Sequence, residues 1–326
     1  MSVTIAVALC THNGAAHLRE QVRSILAQSV AVDEIVLGDD ASSDDTVAIV
    51  SELVKESGVP LTVLRSEKPV GVTGNFERAI LACRSDLVVL SDQDDVWHPD
   101  RVERALAVFE ERPELSLVSS DAELVDAAGV SLGAGLFEAL EIGAPALRDI
   151  AEGRAFELYA KRNLVTGATT MIRRTLAEAA APFPSAWIHD EWLAIVAAAR
   201  DEAGVIDERL IDYRQHGGNQ IGVRKLSFAG KLGRMLEPGA QRSARLLARA
   251  EQLADRLPAV PGVSVERVAA TIEKLAHERA RSALPVSRLR RVGPVLAELR
   301  TGRYDRFGRG RADAVRDLLQ PLRPAG

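Results

Sequence analysis

The chemistry-bearing stretch of this 326-residue chain is Leu87–Trp97, where an apolar run breaks into Asp92, Asp94 and Asp95. Carboxylates this close repel one another, and folding alone gives no reason to collect them. A divalent cation resolves the conflict. Mg²⁺ or Mn²⁺ takes hard oxygen ligands, one or two carboxylates together with phosphate oxygens. The competing reading is an acidic turn capping the helix that opens near Pro99, because Asp is a favoured turn and cap residue. A second acidic pair, Asp39-Asp40, ends another apolar run, and the loop Thr11-His12-Asn13-Gly14 follows a third. Asp190-Glu191, after Trp187-Ile188-His189, stands at a helix start.

The elements that must position these groups follow from periodicity. Val3–Leu9, Glu34–Gly38, Leu61–Arg65 and Asp86–Ser91 read as short buried strands. Between them, His17–Gln28, a segment ending near Ser57, and Asn75–Arg84 carry helical spacing, and Pro99 opens a further helix to Glu111. Such βαβα alternation predicts an α/β fold with a mostly parallel sheet and helices on both faces. Ligands of such sheets sit beyond the carboxyl ends of the strands, which places Asp39-Asp40, Asp92–Asp95 and Thr11–Gly14 on one edge. After Leu115 the pattern changes. Strands are expected at Leu115–Ser119, Ala122–Val125, Leu164–Ile172 and Arg209–Arg214, around an irregular Gly129–Arg148. Beyond Gly222 only helical patterns appear, punctuated by Pro258, Pro261, Pro285 and Pro294.

Charge divides the chain at the same place. From Ile221 onward 22 Lys+Arg stand against 10 Asp+Glu, whereas residues 1–220 hold 19 against 36. The expected organisation is therefore an acidic catalytic body, 1–220, with halves at about 1–115 and 116–220, and a basic, all-helical C-terminal region, 221–326. The basic region suits an anionic membrane surface. Its three aromatics, Phe228, Tyr304 and Phe307, are too few for a nucleic-acid stacking surface, so no nucleic-acid partner is expected. No run approaches the ~20 apolar residues that span a bilayer. Cys10 and Cys83 make neither a metal nor a redox spacing. The expected location is cytoplasmic, peripheral on the inner membrane face if the tail binds lipid.

Two nucleotide motifs are absent. Only Gly14 stands where a dinucleotide fold needs G-x-G-x-x-G, and there is no G-x-x-x-x-G-K-[ST]. A diphosphate bound here must have its charge neutralised without a glycine cradle. Val3–Asn13, Glu34–Thr46 with its D-D-A-S-S-D-D-T, Gly71–Ala79, and S-D-Q-D-D-V-W at 91–97 occur in that order and together resemble the family 2 glycosyltransferases of the GT-A fold. The resemblance covers roughly residues 3–220. It implies inverting transfer from a nucleotide-diphosphate sugar with Mg²⁺ or Mn²⁺. By that resemblance Asp40 contacts the nucleotide base beside Asp39, Thr11 and Asn13 form the first nucleotide loop, and Asn75 lies in a donor-binding segment. Asp92 and Asp94 match the D-x-D pair, Asp94 as the more direct metal ligand.

The acceptor half carries the rest. The family's general base lies in an E-D-type pair, for which this chain has Asp190-Glu191; Asp190 is the assigned base and Glu191 the fallback. The segment Tyr213–Gln220 (Y-R-Q-H-G-G-N-Q) resembles rhamnosyltransferase-like members, which gives His216 a late contact to metal or diphosphate. Thr166 and Gly167, within N-L-V-T-G-A-T-T, with Trp97 and Trp187, are expected on the acceptor side. The donor expected is dTDP-rhamnose or a UDP-hexose, and the acceptor a glycan or a polyprenyl-linked sugar. The alternatives are a sugar-nucleotide-forming nucleotidyltransferase and a non-catalytic sugar-nucleotide or polysaccharide binding module.

Overall fold

The computed structural model describes residues 3–215 and 239–321. These form two compact units, one of 3–155 with 164–215 and the other of 156–163 with 239–321. The segment 156–163, which interrupts the first unit in sequence, belongs to the second. Phe156 and Glu157 join the C-terminal unit, where the Arg267 guanidinium lies 4.9 Å above the Phe156 ring and pairs with Glu157.

The first unit holds a nine-stranded sheet. Its strands are β1 Ile5–Thr11, β2 Glu34–Asp39, β3 Leu61–Arg65, β4 Leu87–Ser91, β5 Val96–Trp97, β6 Leu117–Val125, β7 Ser131–Gly135, β8 Thr170–Arg173 and β9 Ala203–Arg214. Its helices are α1 Leu18–Leu26, α2 Thr46–Ser57, α3 Gly71–Ala82, α4 Arg101–Glu111, α5 Leu136–Ala139, α6 Ala144–Ala151, α8 Arg174–Ala180 and α9 His189–Ala199, while α7 Ala155–Tyr159 belongs from Phe156 onward to the second unit. The order is β3-β2-β1-β4-β8-β6-β9-β5, with β7 on β6.

The β3-β2-β1-β4 half is parallel, as the alternation predicts. Every residue of β1 and β4 is buried, which is why both read as continuous apolar runs. Register then aligns the strand ends: Leu9 stands opposite Ser91, and Thr11 opposite Asp39. Everything that follows these three strands emerges at one edge.

Beyond β4 the sheet turns mixed. β8 runs antiparallel to both β4 and β6, while β9 runs parallel to β6 and antiparallel to β5. Two strands expected at 115–119 and 122–125 are one nine-residue strand, β6, whose partner register shifts between Ser120 and Glu123. The intervening Ser120 and Asp121 are polar yet buried, and their polarity hid the continuity.

The second unit is helical: α10 Gly239–Arg256, α11 Val265–Ser282, α12 Arg288–Arg300, α13 Arg303–Phe307 and α14 Arg311–Leu319. Pro294, expected to separate helices, lies inside α12. Its missing N–H faces the exposed side of the helix, where the carbonyl one turn back can bond to water. No helix among the described residues is long and apolar enough to cross a membrane.

Candidate active site

Three loops meet at the carboxyl edge of the parallel strands, and the loop after β1 is hydrogen-bonded to each of the other two. Asn13, at φ 50°, accepts the Ser43 N–H at 2.9 Å through Oδ1 and donates its own backbone N–H to Ser42 Oγ. The Gly14 N–H donates to Thr46 Oγ1 at 2.8 Å. Gln93 closes the arrangement. Its Oε1 accepts the His12 N–H at 2.8 Å and its Nε2 donates to the His12 carbonyl. A side chain on Gly14 would stand 2.4 Å from Gln93 Oε1, so this glycine serves a close approach of loop to loop.

Asp39 and Asp40 do different work. Asp39 is fully buried, accepts from Thr11 Oγ1 at 3.1 Å and from the Ser42 N–H, and lies 3.7 Å from Arg65 Nε. Asp40 receives the backbone N–H groups of Val70 and Gly71 at 2.6 and 2.9 Å, at the N-terminus of α3, where a carboxylate is favoured. Beside them Ala41, Ser42, Arg65, Ser66 and Glu67 line an open cavity of about 440 Å³.

The loop after β4 is held from below and from the side. Asp92 and Asp94 are half-buried, whereas Asp95 is buried and accepts the Arg214 N–H at 3.0 Å. The Asp95 Oδ2 atom has no partner among the described residues. Arg101 is buried beneath, its guanidinium 4.0 Å from the Trp97 ring centroid and donating to the carbonyls of Ala168 and Leu90.

The electrostatics follow from this crowding. Burial, then the charges of Asp94 and Asp190, push Asp92 up to about 7. Burial and the same neighbouring carboxylates, Asp94 and Asp92, hold Asp95 well above the carboxylate range, against the N–H of Arg214. Burial draws Arg101 down to about 9 while Asp95 and Asp92 oppose it. The influence of Asp190 on Asp92 is informative, because the two lie 98 residues apart in the sequence.

Asp190 sits in the first turn of α9 and is buried. Its Oδ2 accepts the Gly167 N–H at 2.9 Å and its Oδ1 accepts the Glu191 N–H at 2.7 Å. Gly167–Thr169 is a 3-10 turn leading into β8, so Asp190 is moored to the strand beside β4. His189 stacks on Phe76 with centroids 3.8 Å apart, and neither ring nitrogen has a partner among the described residues. Its burial draws the imidazole down to about 3, so the ring is neutral.

The fold therefore gathers Thr11, Asn13, Asp39, Asp40, Asp92 and Asp94 at one edge, with Asp190 close enough to act on Asp92. Thr166 is half-buried at the Gly167 turn, and Glu191 is half-buried beside Asp190. Asn75 is interior, its Nδ2 donating to the Gly38 carbonyl at 2.8 Å, and so joins α3 to β2. Trp97 and Trp187, expected on the acceptor side, have buried rings; Trp97 stacks under Arg101 and Trp187 meets Trp192 edge-on. Large apolar rings are drawn into cores as readily as onto sugars. His216 lies outside the described residues.

Gln93, Arg101 and Arg214 were not expected. An arginine at the end of a strand pattern carries no local sign that its guanidinium will be buried. Gln93, standing inside D-Q-D-D, was legible only as a spacer.

Whether these residues suit a divalent metal can be judged from their chemistry. Among the described residues no three His, Cys, Asp or Glu side chains are grouped to enclose an ion. Two half-buried carboxylates and the orphaned oxygen of Asp95 remain at the strand end. That set fits Mg²⁺ or Mn²⁺, which is commonly bound by one or two carboxylates with substrate phosphates supplying further ligands.

Comparison with known proteins decides the family. Residues 6–179 match the family model described as glycosyl transferase family 2, more than half of the chain. The chain belongs to glycosyl transferase family 2. Among curated members, the dTDP-rhamnosyl transferase RfbG of Shigella flexneri is 26% identical over 240 residues, covering 70% of this chain and 78% of that protein. An uncharacterized glycosyltransferase of Nostoc sp. is 29% identical over 106 residues, 32% of this chain and 33% of its own length. Solved structures of similar fold include S. aureus TarS 1-349 in complex with UDP-GlcNAc, TM-score 0.55 at 17% identity, covering 93% of this chain and 89% of that one. The mannosyltransferase PcManGT of Pyrobaculum calidifontis, in complex with GDP-Man and Mn²⁺, has TM-score 0.50 at 19% identity, covering 97% and 86%. The fold is of the GT-A type, with a helical part after the sheet domain. Membership in this family removes the nucleotidyltransferase alternative.

Proposed function

We propose that this family 2 glycosyltransferase is a metal-dependent inverting enzyme. It moves a sugar from a nucleotide-diphosphate donor, dTDP-rhamnose or a UDP-hexose, to a hydroxyl of a cell-surface glycan or lipid-linked acceptor. The observation that carries the reading is the mooring of Asp190: its Oδ2 accepts the Gly167 N–H just ahead of β8, the strand paired with β4, so a carboxylate from the second half of the domain lies beside the strand that ends in the acidic loop. Likeness to RfbG supports the rhamnosyl donor, and the Tyr213–Gln220 segment points the same way.

In this reading the cavity beside Arg65 and Asp39 takes the base, with Asp40 fixing the loop that borders it. Asp92 and Asp94 would hold the metal, which when bound neutralises the departing diphosphate. Asp190 accepts the proton of the acceptor hydroxyl while that oxygen attacks the anomeric carbon and the bond to diphosphate breaks. Two backbone N–H groups orient its carboxylate. Thr166 and Gly167 border the acceptor side. The basic C-terminal region brings the protein to the cytoplasmic membrane face, where a polyprenyl-linked acceptor is presented.

The deciding experiment is a thermal-stabilisation panel of nucleotide sugars with and without Mn²⁺, followed by transfer assays with the donor found. Asp94→Ala should abolish metal-dependent stabilisation and turnover. Full activity in that variant would remove the reading.

A further inference from the structure

α12 is built inside out. Its buried positions are Arg291, Val295 and Glu298, at 1%, 0% and 6% exposure, whereas Leu289, Val292 and Leu296 are 87%, 45% and 48% exposed. The spacing i, i+3, i+7 sets these three apolar side chains on one face. Burial of the charged face is fully satisfied. Arg291 donates to the carbonyls of Pro285, Val286, Asp317 and Gln320 at 2.6–3.0 Å. Glu298 accepts from His277 Nδ1 and Arg303 Nη2, each at 2.6 Å.

α14 repeats the inversion. Asp313 and Asp317 are buried while Val315 and Leu319 are exposed, and the Arg281 guanidinium reaches both Asp317 oxygens at 2.7 and 3.1 Å. Both helices turn charged side chains inward, where they are paired, and leave several apolar side chains outside. A helix normally places these the other way round.

We propose that the Leu289–Val292–Leu296 face of α12 is a docking surface for an anionic lipid bilayer, with the helix lying flat in the headgroup region. A helix of 13 residues presents about 20 Å along the membrane plane. The occupant is identified by charge. Arg288, Arg290 and Arg300 are exposed around the apolar stripe and pair with no acid among the described residues. Exposed arginines flanking leucine and valine match the acyl boundary and phosphate layer of an anionic leaflet, and bury badly in a neutral protein interface. The inference deepens the membrane-facing part of the proposed function, and its test is independent of sugar transfer.

The test is flotation of the full chain with vesicles of phosphatidylcholine alone and with roughly one-third phosphatidylglycerol, at low salt and at about 0.5 M. The chain should float with the anionic vesicles at low salt, and the double variant Leu289→Glu/Leu296→Glu should bind at least about tenfold more weakly. Arg288→Gln/Arg290→Gln should weaken binding and flatten its salt dependence. All substituted positions are exposed, so unfolding midpoints should match the parent and certify the comparison. Equal flotation of the parent and the leucine variant overturns the proposal, as does no flotation of the parent. A parent dimer that Leu289→Glu/Leu296→Glu converts to monomer, without lipid binding, overturns it in favour of a second copy of this chain. Nucleotide-sugar stabilisation measured on the same preparations separates failure of this proposal from failure of the donor reading.

Discussion

Arg214 donates its backbone N–H to Asp95 and its Nε to the Asp94 carbonyl, so the last residue of β9 clamps the acidic loop that follows β4. These residues lie 119 and 120 positions apart. The same guanidinium reaches the Ala127 carbonyl and the exposed carboxylate of Glu20. The clamp holds the backbone of the loop at Asp94 and the side chain of Asp95.

Arg214→Ala keeps the backbone bond but strips three side-chain bonds from a buried position. The Glu20 pair adds little, being solvent-exposed on the acid's side. Loss of the two carbonyl bonds should cost about 2–4 kcal/mol, lowering the unfolding midpoint by several degrees. Mn²⁺-dependent stabilisation by donor should fall further than the midpoint itself. Unchanged metal dependence would mean that the loop holds its shape without Arg214.

Gly14→Ala would drive a methyl group against Gln93 Oε1. The flexible end of Gln93 can move, so the stability cost should be only ~1 kcal/mol. Moving it breaks both bonds to His12 and frees the loop after β1; under the proposed function donor affinity should fall about tenfold, ~1.4 kcal/mol. Gln93→Ala should reproduce the affinity loss in calorimetry. Wild-type donor affinity in both variants would show the clamp to be dispensable.

Asp190→Asn keeps one oxygen for the Gly167 N–H but turns its amide NH2 toward the Glu191 N–H, so stability should fall by about 1–3 kcal/mol while donor binding persists. Removing a general base should slow transfer by about 10²–10⁴. Steady-state kinetics should show the loss in kcat with little change in donor KM. A near-normal kcat would move the base to Glu191, for which Glu191→Gln is the matching variant.

His189 makes stability depend on pH. Its folded value, about 3, lies below the unfolded value near 6.5. As pH falls through 6.5 the unfolded chain takes up a proton that the folded chain refuses, so stability is lost between about 6.5 and 3. The slope is ~1.4 kcal/mol per unit from this group alone. Denaturant melts at pH 7.5 and 5.5 should show it, and His189→Phe, which retains a ring against Phe76, should be flatter. Parallel slopes for the two proteins would mean that the imidazole is hydrated or paired in solution.

Much of the parallel half of the sheet was legible because its signals are local. β1, β2 and β4 are short apolar runs ended by polar loops, and a parallel sheet sends all their carboxyl ends to one edge. Asp39-Asp40, Asp92 and Asp94 could therefore be grouped before any coordinates. The mixed half of the sheet was harder to read. β6 holds polar residues that are nonetheless buried, and Trp97 and Trp187 have side chains whose chemistry suits a core as well as a sugar.

From its order of residues alone, this chain determined the alternation of its first half, the acidic strand ends and the basic, helical character of its last hundred residues. Tertiary structure decided what the charges do. Asp190 is brought beside the strand that ends in Asp92 because β8 inserts next to β4 and Gly167 moors α9. Arg101 and Arg214 are buried because distant carbonyls and carboxylates receive them. α12 turns its leucines outward because Arg291 and Glu298 find partners inside. Burying a charge costs too much without a partner, and a partner supplied from tens of residues away leaves no trace in local periodicity.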